Sequence, residues 1–184
     1  MTSVSSVADA VIDLTNTGEN GASLFGPGFG SAVGNVCANV YAFSPDEQLV
    51  ACCSCLITPN GLASLSITND VISNTLTGGR PTTIVIKVLT TLAGSGGTGT
   101  SCANSAAVPG TLASGLDAWG TTLHATETAG EFALTERNFT AATLSAGEFA
   151  SLAGRCTSII GNASGAGVCN SCKIGGLGAQ RQTQ

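Results

Sequence analysis

The chain has little charge, few aromatics and a single histidine, and each shortage removes a class of function. Charged residues make up 9% of the sequence, six basic and eleven acidic, where an average soluble domain carries roughly 25%. The cations Arg80, Lys87, Arg137, Arg155, Lys173 and Arg181 are scattered and the net charge is -5. Nucleic-acid binding needs clustered Lys and Arg to displace counterions, so no nucleic-acid partner is expected. One histidine, His124, leaves little for general acid–base work. With one Trp and one Tyr, Trp119 and Tyr41, stacking platforms are scarce. No apolar run approaches the roughly 20 residues that cross a bilayer as a helix, so no membrane span is expected. Residues 1–6 lack the basic and apolar regions of a secretory signal. The expectation is a mature form with Met1 as its start residue, or export by another route.

What is present is apolar and small. Hydrophobic residues make up 43% of the 184, and a mean hydropathy of +0.35 excludes intrinsic disorder. The length suits one domain, read as an N-terminal strand with a Gly-rich segment (1–34) and a body (35–184). Its surface must be covered by Thr, Ser, Asn, Gly and Ala. Copies with so little charge repel one another weakly, which suits a chain that packs against neighbours.

The first two-thirds reads as strands. Residues 8–15 alternate, with Ala8, Ala10, Ile12 and Leu14 on one face and Val11, Asp13 and Thr15 on the other. Residues 36–43 and 48–55 form a hairpin across Ser44-Pro45-Asp46-Glu47, where Pro presets the turn dihedral. A turn at residues 58–61 leads to a strand at 62–68. Residues 82–92, the most β-branched run, read as a central strand; residues 119–126 and 131–136 add two more. One helix is predicted over about 145–160: Ser145 and Glu148 form a capping box, Leu144 and Phe149 a staple. Phe149, Leu152, Ala153, Cys156, Ile159 and Ile160 mark its apolar face. The expected fold is mainly β, an Ig-like or related sandwich with one C-terminal helix, stabilised by disulfides.

Eight cysteines carry the remaining information: Cys37, Cys52, Cys53, Cys55, Cys102, Cys156, Cys169 and Cys172. Strand alternation sends Cys53 and Cys55 to one face and Cys52 to the other, so the three cannot share one partner. Across the hairpin, Cys37 is expected to pair with Cys53 or Cys55. Cys156 is expected to pair with Cys169 or Cys172, a short loop worth about 3 kcal/mol by the chain-entropy model. A helix-to-sheet bridge through Cys156 is the other option, and eight cysteines allow 105 connectivities. The two Cys-x-x-Cys pairs, Cys52 with Cys55 and Cys169 with Cys172, have the composition of a four-thiolate metal site. Their wide separation, and a strand that points Cys52 and Cys55 apart, argue against it. Lys173 after Cys172 excludes the haem-attachment pattern.

Other chemistry is thin. His124 has no identifiable nucleophile nearby in sequence. Asp46 and Glu47 belong to a turn, where solvated carboxylates are ordinary. Gly26-x-Gly28-x-Gly30 lacks the Lys and the helix of a phosphate loop. Lys87 reads as a buried partner of a carboxylate or, more simply, as an edge residue. No catalytic residue, cofactor site or metal site is assigned. Asn138-Phe139-Thr140 and Asn162-Ala163-Ser164 are N-glycosylation sequons, so covalent glycans are expected candidates at Asn138 and Asn162.

The run from Val36 through Gln48, the cluster Cys52-Cys53-Ser54-Cys55, Thr58-Pro59-Asn60-Gly61-Leu62 and the run from Asn69 to Thr77 resemble a family of uncharacterised secreted, cysteine-rich bacterial proteins. So do the run from Ala118 to Ala125 and the tail Gly167-Val168-Cys169-Asn170-Ser171-Cys172. The resemblance covers most of residues 35–172 and is fairly specific. It implies export and oxidised cysteines, and carries no catalytic residue over. Residues 1–34 lie outside it, as does the signal peptide with which such proteins begin.

The expectation for function is a non-enzymatic, pilus-like subunit of an extracellular filament or cell-surface polymer whose partners are copies of itself. Val7, Ala8, Ala10, Ile12 and Leu14 would form an assembly strand donated to the next subunit. The alternatives are a secreted carbohydrate- or surface-binding module using Trp119 and Tyr41, and a Cys-ligated metal protein.

Overall fold

The strands are β1 (Val7–Asn16), β2 (Val36–Phe43), β3 (Leu49–Ile57), β4 (Leu62–Ser66), β5 (Val85–Leu92), β6 (Leu116–Ala125), β7 (Phe132–Asn138) and, after helix α1 (Ala146–Gly161), β8 (Lys173–Ile174). The computed structural model describes residues 7–24, 33–103, 111–170 and 172–174. Two antiparallel sheets, in the orders β3-β2-β5 and β7-β6-β1-β4-β8, form the sandwich.

The hairpin of β2 and β3 forms where the 44–47 turn predicts it. Glu47 takes the left-handed position at φ 63, and Ser44 N donates to Gln48 O at 3.0 Å. Period-2 alternation then sorts β2. Val36, Ala38, Val40 and Ala42 face the opposite sheet, meeting Ile12 and Leu14 of β1 and Leu65 of β4. On the outer face, Asn39 uses its amide to bind Leu89 O at 3.1 Å and Thr91 Oγ1 at 3.1 Å, and accepts from Ser54 Oγ at 2.8 Å. Every polar group of this buried side chain thus has a use, which removes the cost of burying it.

Three elements differ from the sequence reading. The 82–92 run begins as a strand only at Val85 and lies at the edge of its sheet. β-branching favours a strand but does not say which neighbour it acquires. The 62–68 strand stops at Ser66, where a π-helical turn (Ile67–Val71) starts: Ser66 Oγ accepts from Asn69 N, and Asp70 Oδ2 accepts from Ser66 N at 2.8 Å. Residues 7–16, expected as a donated strand, sit within their own chain's sheet between β4 and β6, with both ladders occupied. Ile12 and Leu14 are 2% and 0% exposed there. β1 is anchored at its end by Asn16, whose amide donates to Gly34 O at 2.8 Å and Ile57 O at 3.0 Å.

α1 is capped as the sequence requires, with Ser145 Oγ accepting from Glu148 N at 3.0 Å. It lies across the outer face of β2 and β3, burying Leu152, Cys156 and Ile159 against Tyr41, Leu49 and Cys52. Ile160, assigned to the apolar face, is 45% exposed.

Candidate functional site

All eight cysteines are oxidised: Cys37–Cys102, Cys52–Cys156, Cys53–Cys169 and Cys55–Cys172, with Cα separations of 5.7, 5.9, 5.3 and 5.7 Å. No thiolate is left for a metal cluster, and the described residues hold no group of three or more potential ligands. Cys52 points out to the helix while Cys53 and Cys55 point between the sheets, as alternation demands.

Both expected pairings are replaced. Phe43 lies opposite Leu49, a register that would set Cys37 against Cys55 if continued; instead the ladder shifts between Ala42 and Phe43, leaving Val50 as the extra residue, and Cys37 faces Leu56. One bulged residue therefore turns Cys37 to the face away from Cys53 and Cys55 and out toward Cys102. Cys156 bonds Cys52 because α1 crosses the outer face of β3, whereas the tail turns inward.

The two flanks of the sandwich are finished differently. At the β3/β4 flank the chain beyond α1 seals the gap. Gly167 O accepts from Cys52 N at 2.9 Å, Cys169 N donates to Cys52 O at 3.2 Å, and β8 then adds to β4. Cys53–Cys169 and Cys55–Cys172 fix this tail to the interior face of β3, leaving Cys169 and Cys172 4% and 1% exposed. Gly167 permits the close approach: its φ is +79° and a Cβ there would lie 2.8 Å from Ile159 Cγ2. Beside this flank, Asp9 accepts from Ser66 Oγ at 2.6 Å, Ala10 N at 2.8 Å and Thr68 N at 3.1 Å. Burial opposes its ionisation, but these hydrogen bonds win and hold the carboxyl below the ordinary 3.8.

At the β5/β6 flank no described residue fills the space in this way. A groove of about 960 Å³ runs between β5 on one wall and residues 116–119 and 138–144 on the other. Ile86, Val88, Leu116, Ala118 and Phe139 reach the core from its walls yet stay half-buried. Residues 111–113 pair with the far end of β5, through Leu92 N to Thr111 O and Ala113 N to Thr90 O, and then depart toward β6. Lys87 Nζ binds Glu148 Oε1 across the rim, joining β5 to the first turn of α1.

The remaining candidates do not converge. His124 Nε2 lies 3.2 Å from Thr135 Oγ1 on β7. Asp46 accepts from Ser44 Oγ within its turn. Tyr41 is 2% exposed beneath α1, and burial pushes its hydroxyl up to about 12. Trp119 lines the groove. Asn138 ends β7 and Asn162 caps α1, both exposed. The Gly26 to Gly30 stretch lies outside the described residues.

Sequence reasoning missed the groove and the outer edge of β7. All seven residues of β7 are exposed, with Phe132 at 46% and Leu134 at 62%. The signal available was the alternation of Phe132 and Leu134 with Ala133 and Thr135 immediately after a turn. No protein-family model, curated protein or solved structure matches this chain.

Proposed function

We propose that the chain is a non-enzymatic structural subunit that assembles with copies of itself outside the cell by strand addition. The observation that carries this reading is β7, a seven-residue edge strand exposed at every position and bearing two large apolar side chains. Proteins that stay monomeric blunt such edges with charged side chains, Pro, bulges or a covering loop, because an open ladder recruits another strand; β7 carries charge only at Glu136 and Arg137, toward its end, and none beside Phe132 and Leu134. Four disulfides point to a secreted or extracellular chain. No described helix is long and apolar enough to cross a membrane. Asn138 and Asn162, being exposed, are the proposed sites of any covalent glycans.

Assembly is tested by sedimentation and electron microscopy of the oxidised protein over a rising concentration series. Filaments or other regular polymers are expected; a species that remains monomeric at millimolar concentration contradicts the proposal. A secreted carbohydrate-binding module is the second reading, favoured by the groove itself; Trp119 borders it, but its register opposite Asp13 places it on the sheet face away from Leu116 and Ala118. It loses Tyr41, which has no exposed ring face to offer. A glycan-binding screen of the monomer separates the two.

A further inference from the structure

We infer that the β5/β6 groove is the acceptor for β7 of a second copy, paired antiparallel to the stretch of the β5 edge around Ile86 and Val88 that no described residue pairs, in a head-to-tail contact. This inference rests on the reading of the chain as a self-assembling subunit and names the two surfaces that would meet.

The hydrogen-bond alternation decides which groups each edge offers. Thr90 and Leu92 bond outward to residues 111–113, so the even residues of β5 direct their N–H and C=O groups away from β2. Ile86 and Val88 share this phase, and no described residue bonds their outward groups. Their side chains face the groove. On β7, Phe139 N bonds Ala118 O, which assigns residues 133, 135 and 137 to the ladder with β6. The outward groups there belong to Phe132, Leu134 and Glu136. Among the described residues, then, the unpaired outward groups of Ile86 and Val88 on one edge and of Phe132 and Leu134 on the other belong to apolar residues, with Glu136 the one charged exception. In an antiparallel ladder, residues that exchange hydrogen bonds carry their side chains on the same face. Leu134 opposite Ile86 and Phe132 opposite Val88 would therefore lie over the groove, toward Leu116 and Phe139. A parallel pairing would send them to the other face.

Charge agrees with this match. Residues 80–92 carry Arg80 and Lys87 and no carboxylate, whereas residues 126–138 carry Glu127, Glu131 and Glu136 against one cation, Arg137. In the register above Glu131 lies diagonal to Lys87. Because donor and acceptor are different surfaces of one molecule, the contact leaves each copy with one edge unused, and it propagates until closure or indefinitely.

Proline at an outward-facing N–H removes a donor from the new ladder without touching the internal one. Leu134→Pro should block the donor edge and Val88→Pro the acceptor edge. Each alone should raise the concentration needed for assembly about tenfold or more. Mixed in equal amounts, the two should form a dimer that stops there, since one retains its acceptor and the other its donor. Leu134→Lys and Ile86→Lys repeat the experiment should either proline variant lose its disulfides or its circular dichroism. Polymers from both single variants, or two monomeric variants that fail to dimerise when mixed, overturn this contact while leaving self-assembly standing. A wild-type chain that never associates overturns the underlying reading as well.

Discussion

The two flanks of the sandwich face the same physical problem and end differently. Each is a gap between sheets lined by core side chains. The β3/β4 flank is filled by the chain's own tail, hydrogen-bonded to Cys52 and fixed by two disulfides. The β5/β6 flank is bounded by a strand whose outward groups at Ile86 and Val88 have no described partner, and its lining stays half-buried. The closed flank supplies durability. The open one holds the half-buried apolar lining, and the proposed assembly places its contact there.

Damage to the two flanks should differ in cost. Replacing Cys55 and Cys172 together by Ala removes a crosslink spanning 117 residues and should cost about 3–5 kcal/mol in denaturant unfolding. Leu116→Ala, at a half-buried position on the groove wall, should cost about 1–2 kcal/mol. Equal losses would erase the distinction. Gly167→Ala probes the same seal without touching a disulfide. Positive φ and the approach to Ile159 should together cost about 2–3 kcal/mol, read as a lowered midpoint.

Tyr41 extends the comparison to the surface beneath α1. Its hydroxyl is ordinary in the unfolded chain, near 10, and about 12 in the folded one. The folded state therefore holds its proton longer. Stability should be unaffected below pH 10 and fall by about 2 kcal/mol as pH rises to about 12. Tyr41→Phe should flatten that decline, as followed by alkaline unfolding. The smallest effect belongs to the open rim. Lys87 and Glu148 pair with side chains 47% and 34% exposed, so Lys87→Ala should change stability by less than about 1 kcal/mol. A larger loss in the monomer would mean that the ion pair closes the groove in earnest.

Local chemistry made much of the fold legible in the sequence. The 44–47 turn located the hairpin, the capping box located α1, and alternation separated Cys52 from Cys53 and Cys55. Long-range facts were hidden. The extra residue at Val50 flipped Cys37 away from its expected partners, and no turn or propensity rule announces a bulge. β5 looked central because Ile84, Val85, Ile86 and Val88 are β-branched, a property that edge strands beside an apolar groove share. The pairing of the tail with β3 depends on a connection across more than a hundred residues, beyond the reach of any local pattern. The groove escaped notice for the same reason: its walls, Ile86 and Phe139, meet only in three dimensions.

The central claim is that the open flank is where copies meet, and hydrogen exchange by mass spectrometry on dilute and assembled protein tests it most directly. Assembly should slow exchange at the amides of Ile86, Val88 and Leu134 while leaving those of β3 unchanged. Protection that appears elsewhere, with residues 84–88 and 132–136 exchanging as fast in the assembled protein as in dilute solution, would contradict it.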